Sequence, residues 1–138
     1  MNIYIITISM VLFNEKEEVL YIMSLNLQIK VREEESVPVL DLIGEIDVYT
    51  YPQLNEVINK VINDNNYNII INLEKVKYID STGLGVLASS ANKVAPQNGI
   101  LHIICTQPQI KKIFIVSGLL EKNFKLYDNE AEAITAVA

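Results

Sequence analysis

The sequence predicts a single α/β domain in which a mixed β-sheet of about four to five strands packs with about four helices. Two observations carry that reading. Strand-like and helix-like stretches alternate with short connections from residue 25 onward, which is the layout of an α/β domain. Residues 69–73 form an unbroken apolar run of strand length, as in a strand covered on both faces. The length of 138 residues suits one compact domain. A chain that is 50% hydrophobic and 20% charged has the material for a core and too little charge for disorder.

Residues 25–31 alternate apolar and polar side chains, and 37–46 form a second strand after a charged turn at 32–36; the two are expected to pair as a hairpin. A helix follows, with Thr50 as N-cap, Gln53 three residues later as its capping-box partner and Pro52 in the first turn. Its apolar positions Leu54, Val57, Ile58, Val61 and Ile62 share one face. After a polar turn at 64–68 comes the strand 69–73, the expected centre of the sheet. A second helix over about 82–95 carries Leu84, Leu87, Ala88, Ala91 and Val94 on one stripe, and 96–99 turn into a strand at 100–105. A third helix is expected from the cap Thr106, with Gln109 three residues on, through Ile110, Ile113 and Phe114 to a stop near Gly118. A short strand at 124–127 and a terminal helix through Ala131, Ile134 and Val137 complete the pattern.

Residues 1–22 stand outside this alternation, so the domain is placed at 23–138. The stretch reads as a mis-assigned upstream start, with Met23 as the true first residue and 17–19 encoded by a purine-rich ribosome-binding stretch. A genuine extra strand or a flexible arm is the alternative.

A net charge of −6 with scattered Lys and Arg disfavours nucleic acid as a partner. Cys105 is alone in the chain, so neither a disulfide framework nor a metal cage can form from it. It is expected to be a small buried hydrophobe, and a reducing cytoplasm fits. The apolar run 3–13 is shorter than the roughly 20 residues of a spanning helix, and no basic region precedes it, so neither membrane insertion nor secretion is expected. His102 has no Cys, Asp or His at ligand spacing and reads as structural; Lys111 and Lys112 read as a solvated helix face. The Gly-x-x-x-x-Gly-Lys-Ser/Thr pattern is absent, and no nucleophile is paired with a histidine base. No catalytic residue, metal or cofactor is therefore expected.

The most informative segment is Tyr78-Ile79-Asp80-Ser81-Thr82-Gly83-Leu84-Gly85-Val86-Leu87, where a strand gives way to a helix. Asp80 or Ser81 can cap that helix by accepting from the unpaired amides of its first turn. Two glycines in the first turn cost about 1 kcal/mol each relative to alanine and call for a reason. Two readings stand side by side: capping alone, or a helix start kept open for an anion or a docking partner.

Asp80-Ser81-Thr82-Gly83-Leu84-Gly85-Val86 after an aromatic–Ile pair resembles the phosphorylation motif of the anti-sigma factor antagonists, a branch of the STAS domain superfamily. Gly44-Glu45-Ile46-Asp47-Val48-Tyr49-Thr50-Tyr51-Pro52-Gln53-Leu54 resembles that family's other characteristic segment, in the right order and with the right element between. The resemblance covers about 23–138 and implies a STAS-like fold. It makes Ser81 the phospho-acceptor and leaves Thr82 unmodified. It implies that the unphosphorylated form binds an anti-sigma factor that is also a serine kinase, freeing the sigma factor in a stress-response or sporulation programme. Phosphorylation by that kinase with ATP ends the association, and a metal-dependent serine phosphatase restores it. The free protein is expected to be a monomer. Asp47, Tyr49 and Thr50 are expected to line the docking surface with Asp80, Ser81, Thr82, Gly83, Leu84 and Gly85, although Thr50 also reads as a helix cap alone and Leu84 as core. The alternative within the same superfamily is a regulator of another partner, such as a stress-signalling scaffold or a transporter- or lipid-linked regulator.

Electrostatics gives the switch an independent rationale. A phosphoserine adds about −1.5 to −2 charges, which a helix start favours by about 0.3 to 1 kcal/mol, so the domain stays folded. At the surface, two like charges about 6 Å apart at an effective dielectric near 20 repel by about 3 kcal/mol. That is enough to weaken docking about a hundredfold.

Overall fold

The computed structural model describes residues 2–6, 9–14, 19–23, 26–121 and 123–137, the first three stretches by their backbone alone. Its strands are β1 (Asn2–Ile6), β2 (Ser9–Asn14), β3 (Val19–Met23), β4 (Leu27–Glu34), β5 (Val37–Ile46), β6 (Asn68–Ile79), β7 (Ile100–Ile104) and β8 (Phe124–Tyr127). The helices are α1 (Tyr51–Asn63), α2 (Ser81–Val94), α3 (Pro108–Ser117) and α4 (Glu130–Val137). The strands lie in chain order across one sheet. β4 and β5 form the expected antiparallel hairpin, and β5 through β8 run parallel. The expected domain, a five-stranded mixed sheet with four helices, is thus present as β4–β8 with α1–α4. Ahead of it, β1, β2 and β3 add three antiparallel strands to the outer edge of β4, the last of them ending at Met23. Among the described residues, no helix is long and apolar enough to cross a membrane.

β6 is the central strand of the domain, and its apolar run is divided between two cores. Ile69, Ile71 and Leu73 join α1, α2 and α3 through Leu54, Leu87 and Phe114 on one face. Ile70 joins Val37, Val39, Ile104 and Ala133 under α4 on the other. β6 runs on to Ile79, well past the expected end at residue 73, because Val76 and Ile79 keep returning to the larger core. Two register shifts against β5 absorb the charged residues between.

Several expectations need correction. Residues 32–36 are not all turn: β4 continues to Glu34, and the connection is the pair Glu35 and Ser36, both at positive φ (52° and 67°). Arg32 stays in the strand because its guanidinium is held by Asp41 at 2.7 Å and by Glu130 of α4. The strand expected from residue 25 begins at Leu27; residue 25 itself lies outside the described residues. The third helix does not start at a Thr106 cap. Pro108 opens α3 and confines Gln107 to an extended backbone, while the Thr106 hydroxyl and amide both donate to Glu74 Oε2. α3 does end at Gly118, at φ 76°. On α4 the buried residue is Ala133, with Ile134 and Val137 beside it, whereas Ala131 is exposed.

Cys105 is fully buried, its thiol pushed up by that burial, as expected of a small hydrophobe. His102 is also buried, with Nδ1 2.9 Å from the Tyr127 hydroxyl and Nε2 3.1 Å from Asn68 Oδ1. Burial lowers its pKa to about 4, so the ring is neutral at pH 7.

Candidate functional site

Both motif segments sit at the carboxyl ends of adjacent parallel strands, the edge of an open α/β sheet where connecting loops are free to vary. The first is the β5–α1 loop. The Asp47 carboxylate folds it by accepting from the Tyr49 amide at 2.8 Å and the Thr50 amide at 3.0 Å. The Thr50 hydroxyl donates to Glu45 O at 2.8 Å and accepts from the Asp47 amide at 3.0 Å. Thr50 is therefore a buried tie, 3% exposed, and not a side-chain helix cap. Gln53 closes no capping box: it is buried, and its amide is unpaired among the described residues. The turn leaves Tyr49 74% exposed and Val48 exposed beside it. Gly44, at the head of this segment, sits at φ 122° with Asn26 O only 2.1 Å from where a Cβ would stand, so its role is to let β4 and β5 meet.

The second segment is the β6–α2 junction. Asp80 is extended (φ −102°, ψ −176°), and its Oδ1 accepts from the Gly83 amide at 2.9 Å, the geometry of an N-cap. With the cap supplied by Asp80, Ser81 becomes the first helical residue, exposed and with its hydroxyl in no hydrogen bond among the described residues. The helix starts one residue earlier than expected for that reason.

Ile46 joins the two segments, and sequence reasoning missed it because its contribution is backbone and packing. The Asp80 amide donates to Ile46 O at 3.1 Å. A Cβ on Gly83 would lie 2.5 Å from Ile46 Cγ2 and 3.0 Å from Ile46 O. Gly83 thus lets α2 press against the end of β5. The buried stripe of α2 rotates accordingly onto Gly83, Val86, Leu87, Ser90, Ala91 and Val94, and Leu84 and Ala88 move to its flank. Gly85 differs: nothing lies within 4 Å of its missing Cβ. It stands four residues after Ser81, on the same exposed side of the helix.

The expected residues are therefore brought together in two layers. Asp47, Thr50, Asp80 and Gly83 build the junction, while Tyr49, Ser81 and Gly85 present surface, with Thr82 and Leu84 partly exposed beside them. Tyr78, half-exposed, lies opposite Glu45 in the β5–β6 register, two residues before Asp80. The arrangement offers an exposed, uncommitted hydroxyl at a helix start, with the exposed Tyr49 and Val48 side chains on the adjoining loop. A phosphate on Ser81 would meet the free amides of α2 and lie next to the Asp80 carboxylate.

Residues 28–133 match the STAS domain family. An anti-sigma-B factor antagonist of Staphylococcus aureus is 34% identical over 95 residues, covering 69% of this chain and 88% of its own length. A crystal structure of an anti-sigma factor antagonist from Mycobacterium paratuberculosis superposes with a TM-score of 0.74 at 30% identity, over 80% of this chain and 93% of that one. The phosphorylated form of the Bacillus cell fate determinant SpoIIAA superposes with a TM-score of 0.63 at 25% identity, over 80% and 99%.

Proposed function

The chain belongs to the STAS domain family, and from that premise and the site geometry we propose that it is an anti-sigma factor antagonist switched by phosphorylation of Ser81. The observation that carries the reading is the division of work between two neighbours. Asp80 caps α2, and this leaves the Ser81 hydroxyl exposed and uncommitted. The named relatives and the phosphorylated structural neighbour support it.

In the unphosphorylated state the β5–α1 and β6–α2 loops dock on an anti-sigma factor and so release its sigma factor. That anti-sigma factor is also the kinase. The Ser81 oxygen bonds to the γ-phosphorus of ATP as the bond from that phosphorus to the β,γ-bridging oxygen breaks. ADP leaves, and the hydroxyl proton passes to a base on the kinase. The added charge stands beside Asp80, and the Asp47 loop adjoins through Ile46. Like-charge crowding at the interface then drives the partners apart. A metal-dependent serine phosphatase hydrolyses the ester and restores docking. The chain in this scheme is a binding regulator and a substrate, acting in the cytoplasm where ATP and sigma factors reside.

The test is intact mass after incubation with ATP and an anti-sigma kinase of the same genome, followed by mapping of the modified residue. One added phosphate on Ser81, absent from Ser81→Ala, is the expected result. No phosphate with any such kinase would overturn the reading.

A further inference from the structure

Among the described residues, α4 is what covers the sheet face opposite α1–α3, packing on Val37, Val39, Ile70 and Ile104. Beyond α4 the same face holds a cavity of about 350 Å³ lined by Gln28, Lys30, Asp41, Ile43, Asn72 and Lys75. The register sets these side chains in two rows across β4, β5 and β6. Lys30, Asp41 and Asn72 form one row, and Gln28, Ile43 and Lys75 the next. Two rows across three strands span about 10 Å by 7 Å, far less than the roughly 800 Å² that each partner gives to a stable protein interface. The footprint and the volume are those of a small-molecule site.

A fault in the strand pairing sets the charge of this cavity. Asp41 pairs with Asn72 but Ile43 pairs with Lys75, so β6 carries one residue more than β5 between the two rows. Such a bulge is rare between parallel strands, and it re-aims the side chains that follow. In unbroken register Glu74 would stand opposite Ile43; the bulge puts Lys75 there. Asn72 holds it in place, its Oδ1 accepting from the Glu74 amide at 3.0 Å and its Nδ2 donating to Asp41 at 3.1 Å. The Glu74 carboxylate goes instead to the Thr106 hydroxyl at 2.8 Å. A base thus takes the place of an acid. Asp41, the carboxylate in the lining, is already bound by Arg32 Nε at 2.7 Å and Nη2 at 3.2 Å. Lys75 makes no hydrogen bond or ion pair among the described residues. Beside it Ile43 is 41% exposed, an apolar surface between polar neighbours.

We propose that this cavity binds a small organic anion, a carboxylate or a phosphate monoester with a short apolar body, whose charged end meets Lys75 and whose apolar body lies on Ile43. The Gln28 amide, exposed in the same row, can donate to the anion or accept from a hydroxyl on the body. The site lies on the face of the sheet away from α2 and uses none of the residues assigned to partner docking. It therefore stands or falls independently of the Ser81 switch.

The experiment follows backbone amide shifts of the isotope-labelled full chain by NMR during titration with hexanoate, hexyl phosphate, hexanol and inorganic phosphate, each to about 10 mM, a range that captures millimolar affinity. Hexanoate and hexyl phosphate are expected to give saturable shifts centred on Gln28, Ile43 and Lys75, and hexanol and inorganic phosphate none that saturate. Lys75→Arg should keep the binding, and Lys75→Glu should weaken it about tenfold or more, with both variants as thermally stable as the unaltered chain. Absence of saturable shifts with both hexyl anions overturns the site, as does binding by Lys75→Glu within twofold of the unaltered chain. Hexanol saturating equally well overturns the anion, and inorganic phosphate saturating equally well overturns the apolar body.

Discussion

Gly83 and Ile46 are in such close contact that a methyl group on the glycine would stand 2.5 Å from the isoleucine Cγ2. This contact brings the carboxyl ends of β5 and β6 together and lets the Asp80 amide reach Ile46 O. Gly83→Ala must push α2 away from β5, although alanine is the better helix former. Overpacking of this kind costs about 1–3 kcal/mol. Chemical denaturation should show that loss, and partner affinity should fall with it because the two loops separate.

Gly85 is expected to behave in the opposite way. Its missing Cβ faces open space, so Gly85→Ala should stabilise the domain by about 1 kcal/mol. The new methyl projects on the side of α2 that carries Ser81, so binding of the anti-sigma factor should weaken. Stability and affinity measured on one preparation would separate the two effects. A variant that is more stable and binds equally well would remove Gly85 from the docking surface.

These two glycines mark how far the sequence can be read. Their cost to the helix announces a constraint at 83 and 85, but the spacing does not say that one is internal packing and the other open surface. A cap at Asp80 or Ser81 was legible because a short oxygen-bearing side chain precedes a helix, and the structure gives the role to Asp80. Thr50 and Thr106 carried the same local signal and were claimed by other partners, the backbone of Glu45 and Asp47 in its own loop for one and the distant Glu74 carboxylate for the other. The order of strands and helices was legible from apolar periodicity. The reach of β6 to Ile79 was not, since Glu74, Lys75 and Lys77 interrupt the apolar run that two register shifts accommodate.

The β4–β5 turn holds a removable strain. Glu35 and Ser36 both adopt positive φ, which suits Asn-Gly in a two-residue hairpin turn. Left-handed backbone in other residues costs on the order of 1 kcal/mol each. The double substitution Glu35→Asn with Ser36→Gly should raise the thermal midpoint by a few degrees and leave partner binding unchanged.

His102 gives the fold a pH dependence. Its pKa is lowered from 6.5 to about 4 in the folded chain, so the unfolded chain binds the proton more readily. Its contribution is complete above pH 6.5 and is lost as the pH falls toward 4, amounting to roughly 3 kcal/mol. Stability of the unaltered chain relative to His102→Phe should decline over that window. A constant difference between the two from pH 7 to pH 4 would contradict this account.

Ser81 is the only residue in the scheme whose chemistry must change for the switch to work. The most direct measurement is calorimetric titration of the anti-sigma factor with the unphosphorylated chain, Ser81→Ala, Ser81→Asp and the Ser81-phosphorylated chain. The first two should bind alike, Ser81→Asp more weakly, and the phosphorylated chain about a hundredfold more weakly, with all four equally folded. Equal affinity of the phosphorylated and unphosphorylated chains would contradict the account at its centre.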